Sequence, residues 1–359
     1  MNESEIRFLK ELTESFGPSG FEREPLKLLK NYVTFADELK TDKLGSLMFF
    51  IKGPVDHPRI LLPGHIDEVG FCVIGFTEAY IQFIDLGGWW SQVLLGQRVR
   101  IRTQKGDVLG VIAAKPVHLV TEEERKKVVE MKDMFIDVGC ISKEELEQMG
   151  VKLGDPIVPV SEFTLLTNKK TAMGKAFDDR AGVCVATLAC KRIKEQKISH
   201  PNTVIGAATT QEELGARGAR TLAVAANPDV AIICETSISG DIPGTKAGPA
   251  PGKIGDGVAI YTFDRSMVPN QPLKEFVIKT AEDCKIPHQL TLTGTGGTDG
   301  GSIHTSGIGC PTIVLGVPTR HIHSHNGVFA LSDLDAAVQL VVELVKRLDQ
   351  KTVQSFTEF

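Results

Sequence analysis

The sequence predicts an α/β protein, a mostly parallel sheet flanked by helices, with a small β-rich module inserted in it. Three observations predict it. After Lys170, strand-like runs alternate with helical segments of about 10–15 residues, the rhythm of a sheet covered on both faces. Between about Gly70 and Val160, short apolar runs are instead cut by glycines. And 359 residues exceed what one growing core holds, at about 150 residues per domain.

Taken in order, Ile6, Leu9, Leu12 and Phe16 form the apolar stripe of a first helix, and Gly17-Pro18-Ser19-Gly20 turns the chain. Pro25 opens a second helix with Leu26, Leu29 and Val33 on one side. Residues 46–52 and 60–64 read as buried strands. The glycine-cut region offers strands over 71–76, 81–86, 98–103, 108–113 and 135–138, and a helix opened by a Ser142-x-x-Glu145 capping box. The alternating region offers helices over 180–194, 216–226, 272–285 and 332–348, and strands over 203–209, 229–234, 288–293 and 312–316. The simplest division joins 1–68 and 165–359 in one domain, with 69–164 inserted.

Hydrophobic residues at 42% and charged residues at 24% describe a folded chain rather than a disordered one. A net charge of −5 argues against a nucleic-acid or anionic-membrane partner. No apolar run reaches bilayer-spanning length, and the first residues lack the pattern of a secretory signal. Seven scattered cysteines without a Cys-x-x-Cys pair read as small buried hydrophobes in a reducing cytoplasm.

Five segments carry chemistry. Four follow predicted strands, where open α/β sheets place their sites. They are Gly64-His65-Ile66-Asp67-Glu68, Gln211-Glu212-Glu213-Leu214-Gly215, Glu235, and Arg320-His321-Ile322-His323-Ser324-His325. The fifth, Ala176-Phe177-Asp178-Asp179-Arg180, precedes a helix. Two imidazoles and several carboxylates form a nitrogen and oxygen set suited to zinc, cobalt or manganese. Asp67, two residues after His65, can orient that imidazole. Glu212 and Glu213 diverge as neighbours, so one can bind metal while the other faces substrate. Asp178, on a turn, can bridge two ions about 3.5–4 Å apart. Each segment alone also has a structural reading: a capping pair, a solvated acidic doublet, or an N-cap at Asp179.

With these motifs, and with Gly17–Glu22, Gly87-Gly88-Trp89 and Gly297-Thr298-Asp299, the chain resembles the glutamyl/deblocking aminopeptidases. These are also called tetrahedral aminopeptidases, and some members carry the label endo-1,4-beta-glucanase. The resemblance implies a zinc-exopeptidase-like sheet with two divalent ions per subunit, zinc first and cobalt or manganese as alternatives. His65 and Glu235 would bind one ion, Glu213 and His323 the other, and Asp178 both, through a cis peptide to Asp179. Glu212 would be the general base acting on a hydroxide bound by both ions, with Asp67 supporting His65. Many relatives have Asp where Glu235 stands. The insert would be a PDZ-like dimerisation domain, and dimers would assemble into a tetrahedral dodecamer. The substrates would be peptides with a free N-terminus.

Two other functions stay open on the residues. Paired carboxylates can serve a glycosidase, though few aromatics are available as sugar platforms. A non-catalytic metal-binding scaffold would retain the fold, but it would not need Glu212. For the pocket that receives the N-terminal side chain, the 236–257 and 294–302 segments are the candidates, with Lys246, Lys253, Asp241, Asp256 and Asp299 as its charges.

Overall fold

A computed structural model describes residues 1–245 and 252–358. Thr203–Thr209, Arg59–His65, Val230–Ile238 and Thr312–Arg320 lie side by side in that order, all parallel, at the centre of an eleven-stranded sheet. They read as unbroken apolar runs because helices cover both faces. The helix Phe177–Glu195 packs on all four of these strands on one face, with Leu331–Val345 and Glu3–Glu14 beside it. Arg217–Ala226 and Gly300–Ile303 cover the other face. The pleat sorts the core between the faces: Leu47, Phe49 and Ile51 join the first, Met48 and Phe50 the second.

The margins of the sheet are antiparallel. Leu47–Ile51 and Glu38–Thr41 extend one side; Gly327–Ala330, Thr171–Gly174 and Thr164–Leu165 extend the other. Val258–Phe263 pairs antiparallel with Thr312–Arg320 and parallel with His288–Leu292. Of these marginal strands the sequence reading has Leu47–Ile51 and His288–Leu292 and lacks the rest. Most span four residues or fewer, too short for an apolar period to register.

Two central strands are longer than the sequence suggests. Val230–Ile238 and Thr312–Arg320 stay in register as far as Ile238 against Thr319. Glu235 therefore lies within its strand rather than after it: a carboxylate does not end a strand whose main chain stays paired with Thr312–Arg320 as far as Ile238.

Six antiparallel strands form the second body. Gly70–Thr77, Tyr80–Leu86, Phe135–Asp137, Gly106–Ala113, Arg98–Thr103 and Pro156–Pro159 close into a barrel, the last pairing with the first. Phe71, Val73, Ile81, Phe83, Val99, Ile101, Ile112, Ile136 and Ile157 fill it. Closure leaves the barrel without a free edge. On the helix Lys143–Met149 the expected capping box forms only by half. Ser142 accepts the Glu145 N–H at 3.3 Å, while the Glu145 carboxylate accepts the Ile141 N–H at 2.9 Å.

All seven thiols are free; five are buried, and Cys72 and Cys284 are half-buried. Among the described residues, no helix is long and apolar enough to cross a membrane.

Candidate metal centre

Parallel central strands carry their carboxyl ends to one side of the sheet, and the polar segments gather there. His65 ends Arg59–His65, level with Thr209 of the neighbouring strand. Glu212 and Glu213 follow Thr203–Thr209, Glu235 projects from Val230–Ile238, and His323 follows Thr312–Arg320. Asp178 comes from the turn into Phe177–Glu195, where its peptide to Asp179 is cis. Left-handed residues bracket these segments: Ala176 at φ 56°, Gln211 at 56°, His321 at 59° and His323 at 53°. Such conformations are costly for residues with a Cβ and concentrate at functional sites.

The donor atoms form two groups that share Asp178. In the first, His65 Nε2 lies 3.0 Å from Asp178 Oδ1 and 3.8 Å from Glu235 Oε1. In the second, His323 Nε2 lies 3.2 Å from Asp178 Oδ2 and 3.4 Å from Glu213 Oε1. Each carboxylate oxygen of Asp178 thus serves a different group. Glu213 Oε1 is buried without a hydrogen-bond partner.

Both imidazoles turn Nδ1 away from these carboxylates. His65 Nδ1 faces the main-chain oxygen of Asp67 at 3.1 Å and its carboxylate at 3.4 Å. His323 Nδ1 faces the main-chain oxygen of Gly88 at 2.7 Å. An N–H donated at Nδ1 leaves the Nε2 lone pair pointing into the cluster, the tautomer a metal ligand needs. Asp179 accepts the N–H of His65 and of Gly182, each at 3.0 Å, so it does cap the helix and also fixes the His65 main chain.

Electrostatics fit a cation. Burial would discharge His323, but Glu213 and Asp178 outweigh it and push its pKa up to about 10. His65 is raised in the same way, with Glu235, Asp178 and Asp67 opposing burial. Burial, then the nearby Asp178, raises Glu213 to about 7, against the pull of His323. Glu212 is raised well above the ordinary carboxylate range by burial, to which Asp299, Glu213 and Glu235 add and which His65 opposes. A field that holds protons on both imidazoles is one a divalent ion would also feel. The residues present fit a two-ion site.

The structure brings His65, Asp67, Asp178, Glu212, Glu213, Glu235 and His323 together. All but Asp67 line one cavity of about 460 Å³. Asp67 lies behind it, and its carboxylate also accepts from Ser19 Oγ at 2.5 Å, Glu212 N at 3.0 Å and Glu213 N at 3.2 Å. The sequence reading missed Ser19 and Gly88 as neighbours of the site, and it placed Asp299 among the charges of the substrate pocket rather than beside Glu212. The motifs of the first two were visible, Ser19 in a turn and Gly88 in the family resemblance, but not their partners 48 and 235 residues away. Asp299 is buried and accepts from the Thr209 hydroxyl, with its second oxygen unpartnered.

Gly88, Thr236, Ile238, Tyr261, Thr293, Thr295, Gly296, Gly297, Thr298 and Ile322 complete the cavity. The 236–257 and 294–302 segments do contribute, but through uncharged residues. Lys253 pairs with Asp256 at 3.1 Å, Asp241 pairs with Arg320, and none of Lys253, Asp241, Asp256 and Asp299 lines the cavity. Lys246 lies outside the described residues.

The sequence profile of the M42 glutamyl aminopeptidases matches residues 45–340. A TET aminopeptidase from a marine-sediment Thaumarchaeota archaeon superposes with a TM-score of 0.97 at 55% identity, covering 99% of both chains. The Pyrococcus horikoshii TET1 peptidase, described as assembling into a tetrahedron or a large octahedral shell, superposes at 0.84 with 32% identity over 96% of this chain and 100% of its own. The glutamyl aminopeptidase of Lactococcus lactis is 29% identical over 98% of each chain.

Proposed function

This chain belongs to the M42 glutamyl aminopeptidase family of metal-dependent peptide-bond hydrolases, and from that premise we propose that it removes N-terminal residues from peptides at a two-ion site with Glu212 as general base. One observation carries the reading: two ligand groups share Asp178, one oxygen each, in the cavity that Glu212 also lines.

His65, Asp178 and Glu235 would hold one divalent ion, and Asp178, Glu213 and His323 the other. The nitrogen and oxygen set favours zinc, with cobalt or manganese also suited. Bound there, the ions would lower the pKa of water towards neutrality and polarise the scissile carbonyl. Glu212, held above the ordinary carboxylate range, is suited to take a proton from the attacking water at its carboxylate and return it to the leaving amine. Asp67 holds the Glu212 and Glu213 main chain and flanks His65, so it positions groups on both sides of Asp178. Thr293, Thr295, Thr298 and Tyr261 wall the side on which the substrate would lie.

We assign the catalytic domain to 1–68 and 165–359 and the insert to 69–164. The insert would be a PDZ-like dimerisation domain. A homo-oligomer, up to a tetrahedral dodecamer, agrees with the assemblies described for the Pyrococcus horikoshii relative. Seven free thiols fit a reducing, cytoplasmic setting.

Glu212→Gln tests the assignment. Zinc content should stay at the wild-type value while release of aniline from aminoacyl-anilides falls about 10²–10⁴-fold. Near-normal turnover in that variant would remove Glu212 from the role.

A further inference from the structure

The barrel contacts ligands of one proposed ion. Its strand Tyr80–Leu86 runs directly into Gly87-Gly88-Trp89. Gly87 sits at φ +90°, and a Cβ there would lie 3.1 Å from Glu213 Cβ and 2.7 Å from Val69. A Cβ on Gly88 would lie 3.3 Å from His323 Nδ1, and the Gly88 carbonyl accepts from that nitrogen at 2.7 Å. The close approach therefore needs small residues at both positions.

Trp89 fastens this loop to the barrel. Its ring stacks on Phe71, inside the barrel core, with centroids 4.8 Å apart, and its indole N–H donates to the Gly70 carbonyl at 3.1 Å. It also meets the His325 ring at 5.6 Å, two residues from His323. The two imidazoles are thus oriented by different bodies. His65 is held by the main-chain oxygen of Asp67, two residues along its own segment. His323 is held by a carbonyl from the barrel, 235 residues away in sequence.

We propose that the Gly87-Gly88-Trp89 loop is a positioning element for one ion of the pair: the Gly88 carbonyl fixes the Nδ1–H tautomer and ring direction of His323, so the seating of the barrel sets affinity at Glu213–His323 and not at His65–Glu235. The inference rests on the two-ion reading above. Groups that orient a ligating imidazole typically change metal affinity by about 10–100-fold. The barrel thereby becomes part of the metal centre as well as an appended body. A displacement of the barrel would be read at one ion.

Calorimetric titration of zinc into metal-free, full-length protein tests it. The set is wild type, Gly88→Ala, Trp89→Phe, and His323→Gln and Glu235→Gln as markers for the two classes of ion. Wild type should bind two ions per subunit. Gly88→Ala should weaken, by about 10–100-fold, the class that His323→Gln removes, and leave the class that Glu235→Gln removes within about twofold. Trp89→Phe keeps the stack but not the indole hydrogen bond, and should weaken the same class by less. Circular dichroism establishes that each variant is folded; if Gly88→Ala is not, the Trp89→Phe result decides. Folded variants that leave both classes unchanged, or weaken them equally, overturn the inference alone. Fewer than two ions in wild type overturns the two-ion reading itself.

Discussion

Oδ1 of Asp67 accepts the main-chain N–H of Glu212 at 3.0 Å across 145 residues of sequence. The other oxygen takes the N–H of Glu213 and the hydroxyl of Ser19, and the carboxylate lies 3.4 Å from His65 Nδ1. One fully buried side chain therefore joins the strand end that carries a ligand of the first group to the turn that carries the proposed base and a ligand of the second.

Asp67→Asn tests that junction. An amide NH₂ must face one of the donors that the carboxylate now accepts from, so one buried N–H or O–H loses its partner. Stability should fall by about 1–3 kcal/mol, read from urea unfolding, and kcat/KM should fall about 10–100-fold. Wild-type kinetics in a folded Asp67→Asn protein would remove the junction from the account.

Asp178 and Glu235 should differ in what their loss removes. Asp178 faces both imidazoles, whereas Glu235 faces His65. Asp178→Asn should deplete both ions after desalting, and Glu235→Gln should leave about one per subunit, measured by plasma emission. Equal depletion in the two variants would contradict a shared Asp178.

The buried thiols predict alkaline behaviour. Burial pushes the Cys190 thiol up to about 12, against a small opposing contribution from the Gly206 main chain. A folded pKa above the unfolded one means the folded state keeps a proton that the unfolded chain releases. That stabilisation is complete below about pH 9 and is lost as pH rises towards 12, at about 1.4 kcal/mol per pH unit. Cys190→Ala should therefore show a flatter fall in unfolding free energy between pH 9 and 10.5 than wild type. Parallel curves would place Cys190 in contact with water.

The long parallel strands and the helices over them were legible because each carries a full apolar run or stripe, as Arg59–His65 and Leu331–Val345 do. The candidate site was legible because His65, Asp178, Glu212, Glu213, Glu235 and His323 lie in short motifs at or near strand ends. What supports them was not. Ser19 and Gly88 act through single oxygen atoms on partners distant in sequence, and glycine-rich turns look alike whether or not they touch a ligand. The charges expected around the substrate pocket were misplaced for a related reason. Lys253 and Asp256 satisfy each other three residues apart, so neither needs to line the cavity.

The most direct test of the central claim is an anomalous difference map, at the zinc edge, of crystals grown with zinc. The account predicts two peaks per subunit about 3.5–4 Å apart, one between His65 and Glu235, one between His323 and Glu213, with Asp178 between them. A single peak, or a pair that leaves Asp178 unligated, would contradict it.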